Sequence, residues 1–371
     1  MTVSARARTP RSARLATLAV LTLAAALVAA PAHGAPGPKG PGPAPAPPPP
    51  PAPAVTCGTT VTGDLKLRAD LRCPGTALYV EVPDGRTVTI DLGGRSLVGS
   101  GTGSGLYLTN WGGSGAVVVR GGQIRGFESA VGGDGAIDVT FRSVTLQDND
   151  TWLGHRGLRA YTVLVEDSVL IDTGSSGGYV DSHTTARRSF FVRSGLDSVG
   201  QTWTYAYDST FVEGGIFTGL ASNVVAEGNT FLRCDVGIRA QDNWPASPTL
   251  IRNNRFVDCG TGVRLDASVA GSGANAVRIT GNQFLDGIGS GLEFSLYLPY
   301  GDFEISDNRA IGNGGTGISG TGAGVVTVSG NYATRNGGHG IDVSAVVDRG
   351  GNVAVGNGLT PQCVGVYCTS R

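Results

Sequence analysis

Five stretches toward the carboxyl end of this chain are copies of one another: AEGNTFLRCDVGIRA (226–240), IRNNRFVDCGTGVRL (251–265), ITGNQFLDGIGSGLEF (279–294), ISDNRAIGNGGTGIS (305–319) and VSGNYATRNGGHGIDV (328–343). In each, a small or polar residue and Asn come first, one residue follows, and then an apolar anchor. A Gly-[Ile/Val/Leu] pair stands six or seven residues after the anchor. Weaker copies run upstream as VRGGQI, FRSVT, VEDSVL, ARRSF and AYDSTF. The anchors are then Leu97, Ile124, Thr145, Leu170, Phe190, Phe211, Phe231, Phe256, Phe284, Ala310, Ala333 and Ala354. They recur every 20 to 28 residues, about 23 on average, a period that belongs to stacked repeats.

No helical period runs inside these units, which excludes helical solenoids. Each unit instead carries short apolar or alternating runs such as VVV, VLV, TVTI and VVTV, broken by Gly and Asn. One unit cannot bury its apolar face alone, whereas stacked units share a continuous core. Rungs roughly 4.8 Å apart would make about twelve turns into a rod of roughly 55–60 Å. Phe211, Phe231, Phe256 and Phe284 would stack inside it as an aromatic ladder. Asn229, Asn254, Asn282, Asn308, Asn331 and Asn352 stand two residues before the late anchors. An amide in every late rung reads as a structural ladder, because Asn suits left-handed turns and bonds up and down a stack.

Composition agrees. Gly supplies 60 of 371 residues, about twice its usual share of roughly 7%, yet it does not recur every third residue as in collagen. Charged residues are 15% and hydrophobic ones 40%, which excludes a disordered, charge-rich chain. Of 19 prolines, 11 lie between Pro36 and Pro53. Residues 35–54 therefore read as a semi-stiff linker. Before it, Arg6, Arg8, Arg11 and Arg14 precede the apolar run Leu15–Ala30, so residues 1–34 read as a secretory signal peptide. The run is too short, and its flank too Pro-rich, for a transmembrane segment. Without those four arginines, 24 basic side chains face 29 acidic ones, a poor basis for binding nucleic acid. The expected product is a secreted monomer whose single domain spans 55–371.

The cysteines test the register. Cys234 and Cys259 each lie three residues after a Phe anchor, so they should be stacked neighbours within disulfide reach. Cys57 and Cys73 bracket the amino-terminal entry and Cys363 and Cys368 the tail, where cross-links would cap exposed strand edges. From about Asp91 to Asn357 the chain resembles the secreted right-handed parallel β-helix repeat proteins, the pectate-lyase-like superfamily, on its G-N-x-[hydrophobic] and G-[Ile/Val/Leu] signatures. The resemblance implies an all-β, right-handed parallel β-helix of about twelve rungs. It leaves the chemistry open, since this fold carries lyases, hydrolases, epimerases, adhesins and tailspikes.

Motifs for a nucleophilic serine elbow, a phosphate-binding loop or a zinc helix are absent, so no cofactor is indicated. Gly338-His339-Gly340 is similar to the G-H-G of polygalacturonases, but His339 occupies the ordinary slot of Thr316, Ser290 and Thr261. The middle rungs are the least regular: DNDTWLGHRG, DTGSSGGYVDSHTT and SGLDSVGQTWTYAYD. They contribute Asp181, His183, His155, Arg156 and Asp197 as candidate catalytic residues. Counting back from the next anchor sets Asp181 and His183 beside Thr202 and Thr204, and Asp181 beside Tyr161. Neighbouring rungs would hold carboxylates roughly 5 Å apart, and alternate rungs roughly 9–10 Å, near the separations of retaining and inverting glycosidases. The resemblance to pectate lyases implies an alternative. In it Asp148, Asp150 and Asp172 would ligate calcium while Arg156 or Arg159 removes a proton α to a carboxylate. Trp203, Tyr205, Trp244, Tyr297 and Tyr300 offer flat rings for sugar faces. The expected partner is an extracellular polysaccharide, recognised and cleaved by a lyase or hydrolase route. The rival reading is a non-enzymatic surface β-helix that binds glycans or proteins.

Overall fold

The computed structural model describes residues 54–110, 112–174, 177–178, 182–200, 202–219, 222–241, 248–267, 277–296 and 302–370. The expected signal peptide and nearly all of the linker lie outside these residues. The described chain contains 36 strands, and none of its residues is helical. From Thr162 onward most strands pair in parallel with the strand three places later, one full turn of a solenoid. Among the described residues no helix is long and apolar enough to cross a membrane.

Three walls repeat. The first contains Thr162–Glu166, His183–Arg187, Trp203–Tyr207 and Asn223–Glu227 on successive turns. The second contains the anchors, as in Phe190–Val192, Thr210–Val212 and Thr230–Leu232. The third contains Leu196–Val199, Ile216–Gly219 and Val236–Gln241. Alternate side chains on each strand point inward, so a row of Val, Ile, Leu and Phe fills the rod.

The anchor row is as expected, with two corrections. Leu146, not Thr145, pairs with Ile124 and Leu170. Phe191, not Phe190, pairs with Leu170 and Phe211. Phe191 is fully enclosed at 0% exposure and Phe190 is 40% exposed. Two adjacent Phe residues look alike in a sequence, but strand alternation admits only one to the core. The aromatic ladder therefore has five members. Its ring centroids are 4.6, 4.8, 4.7 and 5.1 Å apart from Phe191 through Phe211, Phe231 and Phe256 to Phe284.

The amide ladder is continuous. Asn229 Nδ2 donates to Asn254 Oδ1 at 3.0 Å, Asn254 to Asn282 at 3.1 Å and Asn282 to Asn308 at 3.0 Å. Asn308 donates to Asn331 at 3.1 Å, and Asn331 to Asn352 at 3.2 Å. The left-handed turn residue is not the ladder Asn itself but the one before it, such as Gly228 (φ 69°), Asn253 (φ 56°) or Asp307 (φ 57°). Upstream, Ser168, Ser189 and Ser209 take over the row, each hydroxyl or amide oxygen accepting the backbone N–H of the previous turn. A second ladder, not anticipated from the sequence, runs from Asn313 through Asn336 and Asn357 to Gln362.

All three expected disulfides are present. Cys234–Cys259 joins neighbouring turns with Cα atoms 4.5 Å apart, and Cys57–Cys73 and Cys363–Cys368 close the two ends at 5.6 and 6.0 Å. His339 Nδ1 donates to the Pro361 carbonyl at 2.6 Å, tying its turn to the terminal segment.

Candidate functional site

The corrected anchor moves the middle of the chain by one residue, and one residue flips a strand side chain to the other face. His183 therefore pairs with Trp203 and Thr162, not with Thr204. Thr184 and Thr204 take the inward positions, while His183, Trp203, Tyr205 and Tyr207 point out. The His183 imidazole lies flat against the Trp203 indole, centroids 4.5 Å apart and planes at 11°. Its plane is 6° from that of Tyr205 at 6.2 Å, and Tyr205 lies 6.5 Å from Tyr207 at 16°. The Arg187 guanidinium sits 5.5 Å from the Tyr207 ring centre. Burial raises the Tyr205 hydroxyl above its usual range, so it remains a neutral donor. The result is an aromatic platform of stacked rings on the outer surface of the first wall.

Asp197 occupies the adjacent wall of the Trp203 turn, across the corner that follows Val199. It heads an outward row that continues through Phe217, Arg239, Arg264 and Glu293 on the next turns. With Arg193, Glu213, Asp235, Phe217 and Arg239 it lines an open cleft of about 460 Å³. Glycine sets the cleft wall, since a Cβ on Gly214 would lie 1.9 Å from the Ser194 carbonyl oxygen. The charges are partly matched. Arg193 holds Asp172 at 2.5 Å and approaches Glu213 at 3.9 Å, and Arg233 reaches Glu213 at 3.3 Å. The hydrogen bond from Arg193 keeps the Asp172 carboxyl below its usual range. The Arg239 guanidinium lies 5.5 Å from the Phe217 ring centre.

The remaining candidates fall elsewhere. His155 and Arg156 belong to strand Thr151–Arg159, where the backbone alone is described at these two positions. Asp181, Trp244, Tyr297 and Tyr300 lie outside the described residues. Asp148 and Asp172 are left-handed turn residues, φ 52° and 47°. Asp150 lines a second cleft of about 410 Å³ beside Tyr107, Glu128 and the glycines Gly132, Gly133 and Gly154. Among the described residues no three His, Cys, Asp or Glu side chains come together as a metal-holding group. Sequence reasoning missed Glu213, Phe217, Asp235 and Arg239, all of which sit in ordinary repeat slots. No common signal in the chain marks them, since Glu213 and Phe217 stand two and six residues after Phe211 but Asp235 and Arg239 four and eight after Phe231.

A protein-family model for the right-handed beta helix region matches residues 129–296. No curated protein matches the chain. Among solved structures, the periplasmic alginate epimerase AlgG is similar at 16% identity and a TM-score of 0.42, over 69% of this chain and 77% of that one. The catalytic unit of thermostable GH87 alpha-1,3-glucanase from Streptomyces thermodiastaticus strain HF3-3 is similar at 12% identity and a TM-score of 0.42, over 83% of this chain and 63% of that one. Neither likeness bears on what this chain binds. With its described pairings parallel and the family match spanning its middle turns, the chain is a right-handed parallel β-helix protein.

Proposed function

We propose that this is an exported protein that binds an extracellular polysaccharide on the His183–Trp203–Tyr205 platform and cleaves it in the Asp197 cleft. The platform carries the reading. His183 and Trp203 stack face to face on consecutive turns and, with Tyr205, line the outer surface of the first wall, where partly exposed rings can meet the apolar face of a sugar. Three disulfides fit an oxidising compartment outside the cytoplasm.

For the chemistry, Asp197 and Asp235 line one cleft on turns roughly 9–10 Å apart along the rod, with Asp235 standing outside the row that joins Asp197 to Arg239. Inverting glycosidases place their carboxyl groups roughly 6.5–9.5 Å apart, with room for a water between. One carboxyl gives a proton to the leaving glycosidic oxygen. The other takes a proton from the water that attacks the opposite face of the sugar. Glu213 suits neither role, because Arg193 and Arg233 occupy it.

The test is a panel of polysaccharides assayed for new reducing ends and for ultraviolet-absorbing unsaturated products, with and without calcium. Reducing ends without unsaturation, lost by roughly 100-fold or more in Asp197→Asn and in Asp235→Asn, support hydrolysis. Unsaturated products that need calcium would favour the lyase route through Asp148, Asp150 and Asp172 instead. Binding to the panel with no cleavage at all would leave a glycan-binding β-helix, a reading favoured by the platform and the cleft lying on different walls.

A further inference from the structure

The third wall extends upstream into turns whose outer surface is built differently from the rest of the rod. The Trp152 N–H bonds the Gly174 carbonyl at 3.2 Å, which joins these early turns to the wall of the Asp197 cleft. Their outward row reads Tyr79, Tyr107 and then Gly132, with Gly154 against Gly132 on the following turn. Two rings followed by two missing side chains leave the cleft of about 410 Å³. The Tyr79 and Tyr107 ring centres are 5.8 Å apart, and Tyr79 is 41% exposed. The Tyr107 hydroxyl donates to Asp134 on the next turn. That bond fixes the ring and raises the hydroxyl above its usual range, so it stays protonated.

The glycines uncover hydroxyls. A Cβ on Gly132 would lie 2.6 Å from Ser104 Oγ, and one on Gly154 would lie 2.6 Å from Ser129 Oγ. A larger residue at either position would close the cleft over these serines. Ser104 is 8% exposed, lines the cleft and makes no side-chain hydrogen bond among the described residues. A nearly buried hydroxyl without a partner calls for a ligand or a water. The acids are unanswered too. Thr151 pairs with Ser129, so Glu128 and Asp150, one residue earlier, stand side by side on neighbouring turns, roughly 4.8 Å apart between backbones. Both are exposed, and like charges directly opposite repel. Elsewhere an arginine meets such carboxylates, as at Asp91, Glu166, Asp172, Glu227 and Glu293. Among the described residues no cation pairs with Glu128 or Asp150, and none that lines the cleft is basic.

We propose that this cleft is a second binding site, one that takes the protonated amino groups of an amino-sugar polymer. An ammonium group would sit between Glu128 and Asp150 in charge-assisted hydrogen bonds. The sugar face would lie on Tyr107 and Tyr79, and a ring hydroxyl would bond Ser104. An anionic sugar is repelled here, and a neutral one leaves the carboxylate pair without a counter-charge. The site is separate from the platform and stands whether or not the Asp197 cleft cleaves.

The experiment titrates the full chain calorimetrically with the hexamers of glucosamine, N-acetylglucosamine and glucose, at about pH 6, where a sugar amine is protonated. The glucosamine hexamer should bind roughly tenfold or more tightly than either neutral one, and added salt should shrink the preference. Glu128→Gln combined with Asp150→Asn keeps the shape of the cleft. It should erase the preference without lowering the unfolding midpoint, while any binding common to all three hexamers survives at the platform. Ser104→Ala, a smaller change, should weaken the glucosamine hexamer roughly two- to fivefold. Equal affinity for the three hexamers, a preference that survives the double substitution, or hexalysine bound as tightly as the amino sugar would each overturn the proposal.

Discussion

The turns from Asn229 to Asn357 and the turns from His183 to Val225 follow one repeat and use it in opposite ways. The late turns keep an Asn in the ladder, Phe or Ala in the anchor row and Leu265, Phe294, Val277 and Phe303 in the inner rows. Their outer surface is laced with ion pairs, among them Arg252–Glu227 at 2.8 Å and Arg264–Glu293 at 2.5 Å. The middle turns keep Phe191 and Phe211 in the anchor row but replace ladder Asn by Ser189 and Ser209, line the inside with hydroxyls and add outward aromatic rings at His183, Trp203, Tyr205 and Tyr207. A serine gives its one hydroxyl proton to a backbone carbonyl, so it cannot also bond the next ladder side chain as an asparagine does. Stability is thus concentrated in the late turns, and recognition surface in the middle ones.

That contrast can be broken by substitution. Phe256→Ala empties the fourth position of the five-ring stack, where the neighbouring turns are fixed by their own hydrogen bonds and cannot close the gap. It should cost about 3–5 kcal/mol, read as a fall in the urea midpoint, while polysaccharide binding by the remaining folded protein is unchanged. A loss below that range would mean that the stack is not the main store of stability. Asn254→Ala comes next, at about 1–3 kcal/mol. It strips a donor from the Ala226 carbonyl and an acceptor from Asn229. An unchanged midpoint would remove the ladder from the account of stability.

Trp203→Ala tests the other side. It should weaken polysaccharide binding by about 0.5–1.5 kcal/mol, roughly two- to tenfold by isothermal titration. If binding holds and the unfolding midpoint falls instead, the ring belongs to packing and the contrast fails. The smallest effect belongs to His339→Ala. Its one described side-chain bond is to the Pro361 carbonyl, so any cleavage activity should survive in full and the terminal turn alone should loosen. Abolished activity in a folded His339 variant would place the chemistry at the wrong end of the rod.

Much of this could be read from the chain because a solenoid repeats its environment. Each ladder Asn, each Phe anchor and the Cys234–Cys259 pair shows itself by a fixed offset, and the offset is the contact. Reading failed where the repeat offered two equivalent choices. At Ser189-Phe190-Phe191 either ring could anchor the turn, and the wrong choice set His183 beside Thr204 instead of Trp203.

What the sequence determined by itself was the stacking: the period, the ladder from Asn229 to Asn352 and the cross-links, all consequences of local spacing repeated many times. Only the tertiary structure decided which face each middle side chain takes and which distant residues share a cavity. Arg193, Glu213 and the pair Asp235 and Arg239 belong to three successive turns and look unremarkable within each. They become a cleft because parallel pairing sets successive turns one strand-spacing apart, and the pairing register is a property of the whole stack.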